Sequence, residues 1–295
     1  MSIILSTSFN KDDSLLATLD SEYNVCVSSV SSGSISVGRC LKDDFSLANI
    51  VKEKVFLKFV DNSSLVTLIL GRLYVLEVVE GMEGSLVLDH IGSVSPPSGS
   101  VCMDVCLGGI LLGNTNGSVY IVNISGKVLG DYSVGDSVTA MCSFNDRLLV
   151  ATRDGNLSLV DMCENRILSR HAGDKNCISI SVDDRFNWFC AVYANSKLIL
   201  GSVCGLSRVF ESAISVTPIT HTVFANVASS GLSVIGSGPT PQLSLFSLDL
   251  STATLRMELD SLCAVTHMER SHSGDLIACV GVGGKTILDA HTLKQ

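Results

Sequence analysis

The chain has 295 residues, 46% of them hydrophobic, and its 20 Lys plus Arg against 29 Asp plus Glu give a formal net charge of −9. Acidity with scattered basic residues argues against nucleic acid or an anionic membrane surface as the main partner. Mean hydropathy is +0.42, yet the longest apolar tract, "SLVTLILGRLYVLEVV" (Ser64 to Val79), is broken by Gly71, Arg72 and Glu77, short of the roughly 18 apolar residues a spanning helix needs.

In chain order, "MSIILSTSFNKDD" lacks the basic flank and long apolar run of a secretory signal. "SLLATLDSEYNVCVSSV" from Ser14 then reads as two β-rich runs around a polar turn. "SLANIVKEKV" (Ser46 to Val55) is the one stretch with a turn or two of helical pattern. The two-run unit returns as "SLVTLILGRLYVLEV" from Ser64, "GILLGNTNGSVYIVN" from Gly109 and "RLLVATRDGNLSLVD" from Arg147. It recurs as "NWFCAVYANSKLILGSV" from Asn187, "GLSVIGSGPTPQLSLFSLD" from Gly231 and "DLIACVGVGGKTILDA" from Asp275. Asp154-Gly155 predicts a two-residue primed hairpin turn. "VSPPSGS" (Val94 to Ser100) predicts an exposed connector, because Pro96 and Pro97 lack amide protons for a ladder.

Anchored on the first large apolar residue of each unit (Leu15, Leu65, Ile110, Leu148, Trp188, Leu232, Leu276), the steps are 50, 45, 38, 40, 44 and 44. A further strand lies before each unit and a shorter one after it. A period near 40–45 residues with four strands predicts an all-β, seven-bladed β-propeller as one domain over residues 1–295. Inner strands are expected to begin near Ile3, Val55, Val101, Ser137, Cys177, Ile219 and Ala264. The chain opens on an inner strand, with no residues before Ser2 to supply an outer one, and closes after a third strand. The last blade is therefore expected to have three strands. Lys285 to Thr292 would form an open edge to which a partner donates a strand, with Lys285, Ile287, Asp289 and His291 as the contact residues.

"FNKDDSLLATLDSEYNVCV" (Phe9 to Val27), "RDGNLSLVD" with Val160-Asp161 at its end, and "RHAGDKNCISISVDD" with His171 before the next inner strand resemble WD-repeat propellers in degenerate form. The family's Gly-His and Trp-Asp dipeptides are absent. "SFNKDDSLLAT" and "SGDLIACVGVGGKTILDAHTL" are more weakly similar to the propeller of the endoplasmic-reticulum exchange factor that loads the vesicle-coat GTPase. That family's potassium loop is not recognisable here, and its membrane anchor is not matched.

No catalytic constellation emerges. "CVGVGGKT" (Cys279 to Thr286) has Cys279 where a phosphate-binding loop needs Gly, and a strand where it needs a helix. His267 and His272, with Glu269 between, lack the i, i+4 helical spacing of paired metal ligands and read as surface or loop histidines. Cys102 and Cys106, about 13 Å apart along a strand, read as core. His171 is expected to tie one blade to the next by a hydrogen bond, and Trp188 to lie in the core. The eleven Cys read as reduced thiols of a cytosolic protein. In that setting the sequons at Asn62, Asn116, Asn123 and Asn156 would carry no glycan.

These readings predict a non-enzymatic, cytoplasmic interaction scaffold, a subunit or adaptor of a multiprotein complex, binding proteins and needing neither cofactor nor metal. The alternative is an exchange-factor-like propeller acting on a small GTPase in vesicle trafficking, and a channel hydrolase comes third.

Overall fold

The first run of a unit such as Leu148-Leu149-Val150-Ala151 is apolar on both faces, so its sheet must be covered on both sides. A computed structural model of the chain shows how. It describes residues 2–32, 38–41, 55–81, 85–106, 109–173, 176–183, 185, 187–195, 197–206, 209–213, 219–227, 231–238, 242–248, 253–260 and 264–294. Among these residues there is no helix, and seven small antiparallel sheets stand in a ring. "SLANIVKEKV" falls almost entirely outside the described residues.

Blade 1 comprises β1 (Ile4–Phe9), β2 (Leu15–Asp20), β3 (Asn24–Ser29) and β4 (Arg39–Cys40). Blade 2 has β5 (Phe56–Phe59), β6 (Ser64–Ile69), β7 (Arg72–Glu80) and β8 (Leu86–Val94). Blade 3 has β9 (Ser100–Cys106), β10 (Gly109–Asn114), β11 (Ser118–Val122) and β12 (Val128–Ser133), and blade 4 has β13 (Val138–Phe144), β14 (Arg147–Thr152), β15 (Asn156–Asp161) and β16 (Arg166–Ala172). Blade 5 has β17 (Cys177–Asp183), β18 (Trp188–Tyr193), β19 (Lys197–Ser202) and β20 (Val209–Ala213). Blade 6 has β21 (His221–Val227), β22 (Gly231–Ser237), β23 (Gln242–Leu248) and β24 (Ala253–Asp260). Blade 7 comprises β25 (Ala264–Arg270), β26 (Leu276–Val282) and β27 (Gly284–Asp289), three strands among the described residues. The inner strands start within two residues of the expected positions.

The apolar core lies between blades. Leu149, Ala151, Leu157 and Leu159 of blade 4 pack on Phe189, Ala191, Tyr193 and Ile199 of blade 5, all essentially inaccessible. Trp188 packs at the margin of the blade 5–blade 6 cluster, and Cys102 and Cys106 join the blade 3–blade 4 core. Hydroxyls staple neighbouring inner strands: Leu57 N donates to Ser6 Oγ at 3.2 Å, Phe59 N to Ser8 Oγ at 3.2 Å, and Ser143 Oγ to Val105 O at 2.7 Å. The ring closes where Thr266 Oγ1 donates to Ile4 O and Ile3 bridges Val282.

The hairpin at Asp154-Gly155 differs from expectation. Of Arg153, Asp154 and Gly155 only Gly155 has positive φ (95°), and its N donates to Thr152 O at 2.9 Å. That is a type I turn closed by a left-handed glycine, a three-residue loop. The Asp154 carboxylate holds it, accepting from Thr152 Oγ1 at 2.6 Å and Asn156 N at 3.2 Å.

The outer strands of blades 2, 3 and 4 share one irregularity. β8 pairs Gly92 with Val75 and His90 with Leu76, leaving Ile91 unmatched. Leu129 of β12 and Leu168 of β16 are unmatched in the same way. These β-bulges point three large apolar side chains into solvent, at 58, 55 and 36% exposure. Between Val94 and Ser100 the backbone leaves the sheet as expected, though Pro96 is buried.

Candidate functional site

The inner strands enclose an axial channel of about 1170 Å³, lined by residues of all seven blades. Lys58 of β5 reaches past blade 1 to place Nζ 2.6 Å from Glu269 Oε2 on β25, and Ser8 of β1 donates to Glu269 Oε1 at 3.1 Å. Burial works against the Lys58 charge, but Glu269 and Asp104 beside it prevail and raise its pKa. Burial also raises the Glu269 pKa, against the pull of Lys58. Cys142 is pushed up to about 12 by burial and the nearby Asp104 charge, so it is no thiolate nucleophile.

His267 is not a surface histidine. β25 is an inner strand, and its inward alternation aims His267 into the channel, edge-on to His221 at 5.4 Å between ring centres. Burial, then the neighbouring His221 and Lys58, hold its pKa well below 6.5. His272 sits half-exposed in the β25–β26 loop, as expected of a loop residue, 3.6 Å from Asp13. The two histidines therefore do not share a site, and no group of three or more His, Cys, Asp or Glu among the described residues could hold a metal.

At one mouth of the channel Asp183, ending β17, accepts from Arg270 Nη1 at 2.6 Å and from Arg185 Nη2 at 3.4 Å on the same oxygen. Sequence reasoning missed Lys58–Glu269 and Asp183–Arg270 because their members lie far apart in the chain; only closure of the ring brings them together.

The predicted contact residues cluster at the seventh blade. Strand β27 stops at Asp289, so His291 lies in the turn beyond it. Lys285 is half-buried and donates to Ser28 Oγ of blade 1; burial lowers its pKa. Ile287 packs toward Phe9, Leu16 and Ala278. The Asp289 carboxylate accepts from Thr292 N at 2.7 Å and His291 N at 3.0 Å, which lowers its pKa. His291 Nε2 lies 3.1 Å from Asp275, raising the imidazole pKa. At the end of β27 Asp289 N donates to Lys294 O and Asp289 O accepts from Leu293 N, both at 2.8 Å, so the chain's own turn closes the edge there.

Two further expectations resolve. After "CVGVGGKT" the chain continues as β27, a strand, with Gly283 and Gly284 at positive φ in the hairpin turn. His171 lies on the outer strand β16, and its buried Nε2 has no hydrogen-bond partner. The expected inter-blade bond is therefore not made there, because outer strands diverge where inner strands converge.

No family model matches this sequence, and no curated protein matches it. Solved structures do: 1639 chains match, too many to single out one activity. One of them, from the crystal structure of a mitotic checkpoint complex, superposes with a TM-score of 0.74 over 97% of this chain and 86% of that chain, at 13% identity. Such a likeness shows the fold, a seven-bladed β-propeller. The resemblance to the exchange-factor propeller is unsupported by these comparisons. Among the described residues no helix is long and apolar enough to cross a membrane.

Proposed function

We propose that this chain is one propeller domain acting in the cytoplasm as a non-enzymatic scaffold, a subunit or adaptor that binds other proteins. One observation carries the reading: among the described residues blade 7 ends on β27 with no fourth strand. A strand edge recognises an extended peptide through its free amides and carbonyls. The occupant is a strand of a partner chain, antiparallel to β27 as in every other blade, and Lys285, Ile287, Asp289 and His291 flank the seam. Support comes from the channel, where Lys58, Glu269, Asp183 and Arg270 neutralise one another instead of forming a nucleophile–base pair, and from a structural neighbour that is itself part of an assembly. The exchange-factor alternative has no particular observation in its favour.

Hydrogen–deuterium exchange tests the reading. The outward amides of Lys285 and Ile287, which do not bond β26, should exchange quickly in the isolated chain and slowly in the complex purified from its own cells. Equal exchange in both states would remove the edge as the docking point. So would protection of these amides in the isolated chain that matches β11, a strand bonded on both sides.

A further inference from the structure

Between Asp183 and Arg270 stands the whole of blade 6: β17 and β25 are not neighbours, and the ion pair crosses the channel mouth over the end of β21. Arg270 is held from two sides. Its Nε donates to Gly274 O at 3.2 Å and its Nη1 to Asp183, while Nη2 is buried and has no acceptor. Arg185, 46% exposed, reaches the same spot from the β17–β18 loop, with Nη1 3.5 Å from Ser273 O. Gly274 (φ 82°) makes room: a methyl there would strike both Arg270 Nη2 and Arg185 Nη1. Two guanidinium groups thus converge on one point at the rim of the channel, with Lys11 also on its wall. Among the described residues, two carboxylates at this mouth are already engaged, Asp183 by both arginines and Asp13 by the amides of His272 and Ser273 at 2.7 and 2.8 Å.

We infer that the mouth formed by Arg185, Arg270 and Gly274 is an oxyanion-binding site, taking one carboxylate or phosphoryl group. The planar fork of Arg270 keeps one donor, the buried Nη2 beside Gly274, that Asp183 leaves unused, and Arg185 supplies a second guanidinium at the same mouth. Charge-assisted bonds of this kind are the strongest a partly buried site can offer. The site is read from Arg185, Arg270 and Gly274 and not from the open edge of β27, so phosphate binding and strand donation are tested separately.

The test titrates inorganic phosphate into the full chain at low ionic strength, followed by calorimetry and thermal melting. Saturable millimolar or tighter binding is expected. Arg185→Gln and Arg270→Lys should each weaken it by about tenfold. Arg270→Lys keeps a cation on Asp183 and removes Nη2, and Arg185→Gln alters an exposed side chain, so both should melt close to the parent. Gly274→Ala should abolish binding. A short oligoglutamate peptide provides the second arm. Competition with phosphate identifies a carboxylate from an acidic peptide as the ligand group, and failure to compete identifies a phosphoryl group. Absence of saturation, or an affinity equal to the parent's in both arginine variants, overturns the site.

Discussion

Lys58 Nζ and Glu269 Oε2 lie 2.6 Å apart although 211 residues separate them in the chain. They join blade 2 to blade 7 across blade 1, whose Ser8 bonds the same carboxylate. The pair therefore spans the junction where the first and last blades meet, and side chains rather than a shared strand brace the ring there.

Removing one member should expose that bracing. Lys58→Met leaves the Glu269 carboxylate buried without its cation and should cost about 3 kcal/mol. Lys58→Met combined with Glu269→Gln removes the orphaned charge and should recover more than half of the loss. Urea denaturation midpoints at neutral pH measure both.

The inward histidine makes an acid prediction. The pKa of His267 lies well below 6.5 in the folded chain and returns to about 6.5 when unfolded. Below pH 6.5 the unfolded state therefore binds the extra proton, and stability falls as the pH drops from there toward the folded value. His221 and Lys58, the positive or ionisable neighbours on the facing strands, act in the same direction. His267→Phe should flatten the stability profile between pH 6.5 and 5, measured by thermal melts; an unchanged slope would show that other groups set it.

Two glycines in strands should behave oppositely. A Cβ at Gly281 would lie 2.9 Å from Ala264 C and 3.0 Å from Thr266 N, against the backbone of the neighbouring inner strand. Gly281→Ala should cost about 2–3 kcal/mol. Gly130, on the outer strand β12, has nothing within 4 Å, and Gly130→Ala should stay within about 0.5 kcal/mol. Chemical denaturation distinguishes them.

Depth in the blade gives the last contrast. Phe189 is fully buried between blades 4 and 5, so Phe189→Ala should destabilise by about 3–5 kcal/mol. Ile91→Ser, at the exposed bulge of β8, should change stability by less than about 0.5 kcal/mol. Unfolding monitored by tryptophan fluorescence is suitable, because Trp188 precedes Phe189 in the chain.

The blades were legible because burial on both faces writes itself locally: "LLVAT" and "CAVY" need cover whatever follows them, and their spacing counts the sheets. Channel chemistry was not. Lys58, Asp183, Glu269 and Arg270 look like ordinary surface charges in their own segments, and only closure of the ring turns them toward one axis. His267 misled for the same reason, since "VTHMERSHSG" resembles a polar strand end until β25 is recognised as an inner strand. The turn at Gly155 was read one residue short because Asp-Gly also closes type I turns when the glycine follows the two central positions.

The bulged outer strands have a consequence for crowding of copies. Each complete blade ends on a strand whose free side faces solvent, and a long regular edge of that kind would zip onto the edge of a neighbouring molecule. In β8, β12 and β16 the unmatched Ile91, Leu129 and Leu168 break the two-residue rhythm midway. An approaching strand in register with one half is out of register with the other. The residues that make this rim greasy are thus the same ones that deny it a continuous hydrogen-bonding template, so that stacking of copies side by side stalls after a few residues.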